Sequence, residues 1–250
     1  LEVISGKDEK DSTSSSKFVE NYSEIPTPEK KKIAVLKDCF DREGLDSEVK
    51  VRIEQTIEKL KKKGHEIENI SFPELDFLVP TYYVLSTAEA SSNLARFDGV
   101  HYGYRTESPL DMEETYVKSR TEGFGEEVKR RIMLGTFVLS AGYHDAYYKK
   151  AQQVRRLVQN KTEKILMDFD FILSPTTPHT AFDIGNKHTD PTAMYLEDIF
   201  TVHANISGNP AINLPLYTHS NGMPFGLQLL SKKFKEKELY SISSEIMADL

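Results

Sequence analysis

The stretch from Lys32 to Phe72 limits the possible folds more than any other part of the chain. Lys32-Ile33-Ala34-Val35-Leu36 is a short apolar run that reads as a buried strand. Leu45 to Lys63 follows as an amphipathic helix, with Val49, Ile53, Ile57 and Leu60 at helical spacing and Gly64 as its cap. His65–Phe72 then alternates as a second strand. A strand, a helix and a strand in about forty residues form a βαβ unit, so the two strands should be parallel with a right-handed crossover.

The remaining pattern extends this start into a layered sheet. Pro73 to Pro80 reads as a connector, Tyr82–Arg96 as a helix, Phe97-Asp98-Gly99 as a turn and His101–Pro109 as an aromatic loop. Phe124–Tyr148 reads as two helices meeting at Ala141-Gly142, where glycine suits the left-handed closing residue. The first spans Glu126–Ser140, and the second starts near Tyr143 and runs to about Met167. Phe169–Leu173 is a short apolar strand ending in Ser174-Pro175-Thr176-Thr177-Pro178, a turn expected to deliver polar groups to a cleft. A loop with Gly185 and Asp190-Pro191 leads to an expected helix over Thr192–His203. Ala211–Leu216 and Phe225–Leu230 read as a hairpin around Ser220-Asn221-Gly222, and Lys235–Leu250 as a final helix. Mixed strand directions with intervening helices predict an α/β fold, a mixed central β-sheet flanked by helices on both faces.

Composition narrows the function classes. The formal net charge of −7 argues against this chain gripping nucleic acid, because phosphate binding needs a basic face. A single cysteine, Cys39, excludes internal disulfides and thiolate zinc clusters and suits a reducing, cytoplasmic setting. No apolar run approaches the length of a membrane span, and no signal peptide is evident. The chain begins at Leu1 in LEVISG, which resembles a helix end with a glycine stop, and reads as the middle of a longer protein.

Few residues suggest chemistry by themselves. Lys129, Arg130 and Arg131 form a basic turn beside an apolar stripe, which by default is a solvated face, and spacing alone does not decide which of them turns inward. The seven histidines include no metal-spaced pair on one helix, and His144 reads as a helix-start residue. Cys39 has no evident base and reads as a small buried hydrophobe. Ser91-Ser92 lies in a helical pattern without the glycines that expose a nucleophile, Ser14-Ser15-Ser16 lies in a polar connector, and no phosphate-cradling glycine loop is present. The residues alone therefore indicate an α/β domain with a cleft and no assembled catalytic machinery.

Several stretches carry a resemblance. Tyr82–Gly103 (YYVLSTAEASSNLARFDGVHYG), Phe124–Tyr148, Ser174–Phe182 (SPTTPHTAF), Asp190–Thr201, Asn205–Leu214 (NISGNPAINL) and Gly222–Leu229 (GMPFGLQL) occur in order. Together they resemble the A subunits of glutamyl-tRNA(Gln) amidotransferases, a branch of the amidase signature family, over essentially the whole chain. The resemblance implies residues 1–250 as the C-terminal part of one amidase-signature domain, with 1–31 as a connector from its N-terminal part.

It also implies a serine nucleophile, a second serine joined through a cis peptide, and a lysine base. In the family these lie in a Gly/Ser-rich signature and the region before it, both upstream of the matched region; the signature has no counterpart here, so no catalytic residue is assigned to this chain. By motif match, Arg131 falls where the family holds the glutamine α-carboxylate, Asp198 where an aspartate meets the α-ammonium, and Tyr82 where a tyrosine lines the same pocket. Arg130 is the rival to Arg131, and Glu197 to Asp198. The implied activity is a glutaminase subunit supplying ammonia for conversion of Glu-tRNA(Gln) to Gln-tRNA(Gln). Its implied partners are glutamine, the other subunits of a heterotrimer and, through them, the tRNA. No cofactor is implied for this chain, and ATP and magnesium are implied for a partner subunit. The rival readings are another amide hydrolase of the family and a stand-alone, non-catalytic binding or assembly module.

Overall fold

In the computed structural model, residues 1–26, 29–184 and 197–248 are described. The chain divides into two compact units, Leu1–Leu75 with Gln159–Leu250, and Asp76–Val158.

The first unit is built on a five-stranded sheet in the order β2-β1-β3-β5-β4. Its strands are β1 (Lys32–Leu36), β2 (Glu66–Ile70), β3 (Phe171–Pro175), β4 (Ala211–Thr218) and β5 (Pro224–Ser231). β1 pairs parallel with β2 through Lys32↔Glu66 to Leu36↔Ile70, as the βαβ reading requires, and parallel with β3 on its other side. β5 runs antiparallel to β3 and to β4, so the expected hairpin and the mixed sheet are both present. β1, β3 and β5 are buried almost continuously, which is possible only for strands covered on both faces. The outer strand β2 is mostly exposed and carries Glu66 and Glu68, charges that discourage pairing with another chain. The other outer strand, β4, holds Pro215 at a register shift between Leu214 and Tyr217, an edge position where a missing N–H is tolerated. Opposite that irregularity only glycine fits in β5, because a Cβ on Gly226 would meet the Leu214 carbonyl oxygen at 1.8 Å.

Helices complete this unit. α1 (Lys37–Phe40) is one turn continuing from β1, where the sequence pattern shows only a strand end, and it buries Cys39 and Phe40. α2 (Ser47–Lys62) follows with Asp46 as its N-cap, accepting from the Glu48 and Val49 N–H groups at 2.8 and 3.0 Å. Its apolar face, Val49, Ile53, Ile57 and Leu60, is buried as its spacing predicts.

The helix expected over Thr192–His203 begins outside the described residues. Within them, 197–201 form turns and the helix, α7 (Val202–Ser207), is short and ends at Gly208 in the left-handed conformation. The last helix, α8 (Glu236–Met247), buries Leu239, Ile242 and Ile246, while Leu250 lies outside the described residues.

A core histidine couples stability to pH. His203 is fully buried, its Nε2 is 2.8 Å from the Thr162 hydroxyl, and its ring packs 4.7 Å from that of Phe72. Burial pushes its pKa down from 6.5 to about 4. Between those values the unfolded chain takes up a proton that the folded chain refuses, so stability is present above pH 6.5 and falls as the pH drops toward 4. The expected loss is about 2–3 kcal/mol. Urea midpoints at pH 7 and pH 4.5 should differ less for His203→Gln than for the unsubstituted protein, and equal differences would contradict the assignment.

The second unit is helical. α3 (Leu75–Leu94) enters it, and α4 (Met112–Gly123), α5 (Glu126–Leu139) and the start of α6 (Lys150–Asp168) follow. The predicted connector Pro73–Pro80 is overturned, because α3 starts at Leu75 and contains Pro80. Proline in a helix interior costs about 3 kcal/mol. Burial of Leu75, Leu78 and Val79 offsets that penalty.

α4 has no expected counterpart in the sequence pattern, because it lacks an apolar stripe. Its signal is a capping box: Asp111 accepts from the Glu114 N–H at 2.8 Å, and the Glu114 carboxylate reaches back to the Leu110 N–H. α5 keeps its expected limits to within one residue. A π-helical turn, Asp145–Lys149, precedes α6 and is marked by the Lys149 N–H bonding five residues back to His144. Among the described residues, no helix is long and apolar enough to cross a membrane.

Candidate functional site

The basic turn of α5 is where sequence and structure converge. α3 and α5 cross with almost no side chain between them. A Cβ on Gly135 would lie 2.0 Å from the Thr87 carbonyl oxygen and 2.6 Å from the Ser91 Cβ. Beside this crossing the Ser91 and Thr136 hydroxyls bond at 3.0 Å, so Ser91 ties the two helices together.

One turn earlier on each helix, the same approach brings Arg131 over the Tyr83 ring, with the guanidinium carbon 5.6 Å from its centroid. The Tyr82 ring stands edge-on to Tyr83 at 5.4 Å and 84°. Within this unit Tyr82 thus packs on the ring that Arg131 covers.

Electrostatics distinguish the arginines. Glu127 accepts from Arg131 Nε at 3.0 Å through one carboxylate oxygen and from Arg130 Nη1 through the other. The hydrogen bond to Glu127 is the first cause that raises the Arg131 pKa above its ordinary value, so the group is a permanent cation. The Arg130 side chain is 61% exposed and the Arg131 side chain 38%. Glu126 and Glu127 face Lys129, Arg130 and Arg131, so three cations meet two carboxylates and one positive charge remains. A half-sheltered guanidinium on an aromatic shelf in a turn with surplus positive charge can take a carboxylate on its remaining N–H donors.

In the sheet unit, Asp198 is exposed on the turn before α7, and its carbonyl oxygen accepts the Val202 N–H at 3.1 Å. Its neighbour Glu197 is bonded to His179 Nδ1 at 2.9 Å. The polar turn after β3 is knitted to its surroundings. Thr176 Oγ1 donates to Asn213 Oδ1, Thr177 Oγ1 donates to the His179 carbonyl at 2.7 Å, and Asn221 Nδ2 donates to Thr180 Oγ1 at 2.9 Å.

Cys39 is 1% exposed, and burial pushes its thiol pKa far up, so it is the inert hydrophobe the sequence suggests. His144 sits exposed just before the π-helical turn, with Nδ1 3.1 Å from Asp145. Among the described residues, no group of three or more His, Cys, Asp or Glu side chains is placed to hold a metal ion.

Two participants escape the sequence reading. Glu127 stands four residues before Arg131, the spacing of a helical ion pair, and that was the available signal. Tyr83 adjoins Tyr82 in an aromatic pair, but nothing local says which ring faces α5.

The sequence profile of the amidase family matches residues 1–240. The chain belongs to the amidase family. Among individual amidases, it is 49% identical over 243 residues to a protein of Clostridium botulinum (strain Loch Maree / Type A3) named as the A subunit of glutamyl-tRNA(Gln) amidotransferase. That match covers 96% of this chain and 50% of the relative. The protein of the same name from Koribacter versatilis (strain Ellin345) is 50% identical over 248 residues, covering 98% and 52%.

Among solved amidase-fold structures, the glutamyl-tRNA(Gln) amidotransferase A subunit of Thermotoga maritima superposes with a TM-score of 0.70 at 35% identity, over 97% of this chain and 48% of that one. A 6-aminohexanoate cyclic dimer hydrolase superposes at 0.74 with 18% identity, over 100% of this chain and 51% of that one, a likeness of fold alone. The chain thus spans about half the length of the amidases it matches.

Proposed function

We propose that this chain forms the substrate-positioning half of the glutaminase subunit of a tRNA-dependent amidotransferase. The observation that carries the reading is 49% identity along 96% of the chain to a protein of that name. The Arg131 site supports it, since a guanidinium fork matches a carboxylate at two points. Arg131 holds the glutamine α-carboxylate, Asp198 receives the α-ammonium and Tyr82 lines the pocket. Glutamine is thereby held by its zwitterionic end, and its side-chain amide is left to a serine nucleophile contributed by the other half of the fold. Such fixation makes attack effectively unimolecular. The ammonia released is passed to a Glu-tRNA(Gln) activated on a partner with ATP and magnesium, and no residue of this chain has a role toward those groups.

The test is an amide profile of the full-length enzyme, glutamine against butyramide. Two ionic contacts worth about 1.5 kcal/mol each predict a kcat/KM at least ~100-fold higher for glutamine. Asp198→Asn should raise the glutamine KM about tenfold by the same scale. Comparable rates on both amides would reject the glutaminase reading in favour of a simple amide hydrolase of the same family.

A further inference from the structure

We propose that Glu127 is a positioning residue for the glutamine carboxylate site, acting through Arg131. The inference rests on the reading above and adds a residue that the motif matches do not supply. An arginine in a side-chain ion pair four residues along a helix is ordinarily a surface decoration, worth about a factor of two in an equilibrium. This pair differs in three ways.

First, Glu127 accepts from Arg131 Nε at 3.0 Å, the inner donor of the guanidinium, rather than from one of its two terminal nitrogens. Second, the carboxylate is itself held, because its other oxygen accepts from Arg130 Nη1. Third, the guanidinium carbon lies over the Tyr83 ring, 5.6 Å from its centroid, and Tyr83 packs edge-on against Tyr82. A side chain with four rotatable bonds thus has a carboxylate on its inner donor and an aromatic ring beneath its guanidinium. Part of the freedom that carboxylate binding must otherwise remove is already removed in the unbound protein.

Charge makes the proposal separable from its rival. A Glu127 that acted only as a negative charge would compete with the substrate carboxylate, so neutralising it would tighten glutamine binding. A Glu127 that acts by reach must keep an acceptor at the right distance, whatever its charge. Glu127→Gln keeps the acceptor and loses the charge, whereas Glu127→Asp keeps the charge and is one methylene too short.

In the full-length, assembled enzyme, Glu127→Asp is expected to raise the glutamine KM about tenfold, with kcat held within about twofold. Glu127→Gln should stay within about threefold of the unsubstituted KM. Turnover of butyramide, which has no α-carboxylate, should move in neither variant. A Glu127→Asp enzyme with unchanged KM, or a Glu127→Gln enzyme as impaired as the aspartate variant, overturns the proposal. Should Arg131→Ala leave glutamine use intact, the assignment of the carboxylate to Arg131 fails, and comparable rates on glutamine and butyramide are what reject the glutaminase reading. Should Arg131→Ala remove it while Glu127→Asp does not, only the positioning role fails.

Discussion

Arg131→Ala in the full-length enzyme is expected to lower kcat/KM for glutamine by at least ~100-fold, chiefly through KM, while butyramide turnover is retained. Removing one partner of a charge-assisted carboxylate pair typically costs 2–5 kcal/mol, and the partial exposure of Arg131 places it toward the low end of that range. The loss should not be a folding defect. Arg131 lies on the outer part of α5 with 38% of its side chain exposed, and its Glu127 pair adds only a few tenths of a kcal/mol, roughly, to the helix. The thermal midpoint should therefore hardly move. Arg131→Lys should remain impaired, because an ammonium is a point charge and cannot present a planar fork. Glutamine turnover surviving in the alanine variant would show that the carboxylate is held elsewhere, with Arg130 the first group to test.

Gly135→Ala is expected to be the most destabilising single-methyl change in the helical unit. In an isolated helix the same change is favourable by about 1 kcal/mol. Here the new Cβ would lie 2.0 Å from the Thr87 carbonyl oxygen, so α3 and α5 must separate by on the order of 1 Å. Overpacking usually costs about 1–3 kcal/mol, and a backbone obstacle that cannot rotate away puts this case near 4 kcal/mol. Thermal and urea midpoints measure the loss, and an unchanged midpoint would mean that the helices part without penalty. A second consequence follows from the position of the crossing. Arg131 and Tyr83 each lie one turn before it, so separation of the helices moves the guanidinium off its shelf. Where enough folded enzyme remains, its glutamine KM should rise while butyramide turnover is affected less.

The sheet unit was the more legible part of this protein. β1, α2 and β2 follow from one apolar run, one 3.6-residue periodicity and one alternation, and a parallel crossover leaves them a single arrangement. β4 and β5 follow from a turn signal between two β-rich runs. These signals are local, and the burial they predict is the burial observed at Val49, Ile53 and Ile57. The helical unit was less legible because its elements break local rules. α3 runs through Pro80, and α4 has no apolar face to advertise it, only a capping box.

By itself, the sequence determined the order and type of most elements and the mixed α/β class, while Tyr82, Arg131 and Asp198 were nominated only through a family resemblance. Which residue of a basic triplet turns to an aromatic shelf was decided by tertiary structure alone. Adjacent helical residues point about 100° apart, so the orientation of Arg130 and Arg131 depends on where the neighbouring helix lies. That position is set by Gly135 meeting the Thr87 backbone, a contact between residues 48 positions apart. The ring that shelters Arg131 and the carboxylate that holds its Nε meet only once that contact has formed.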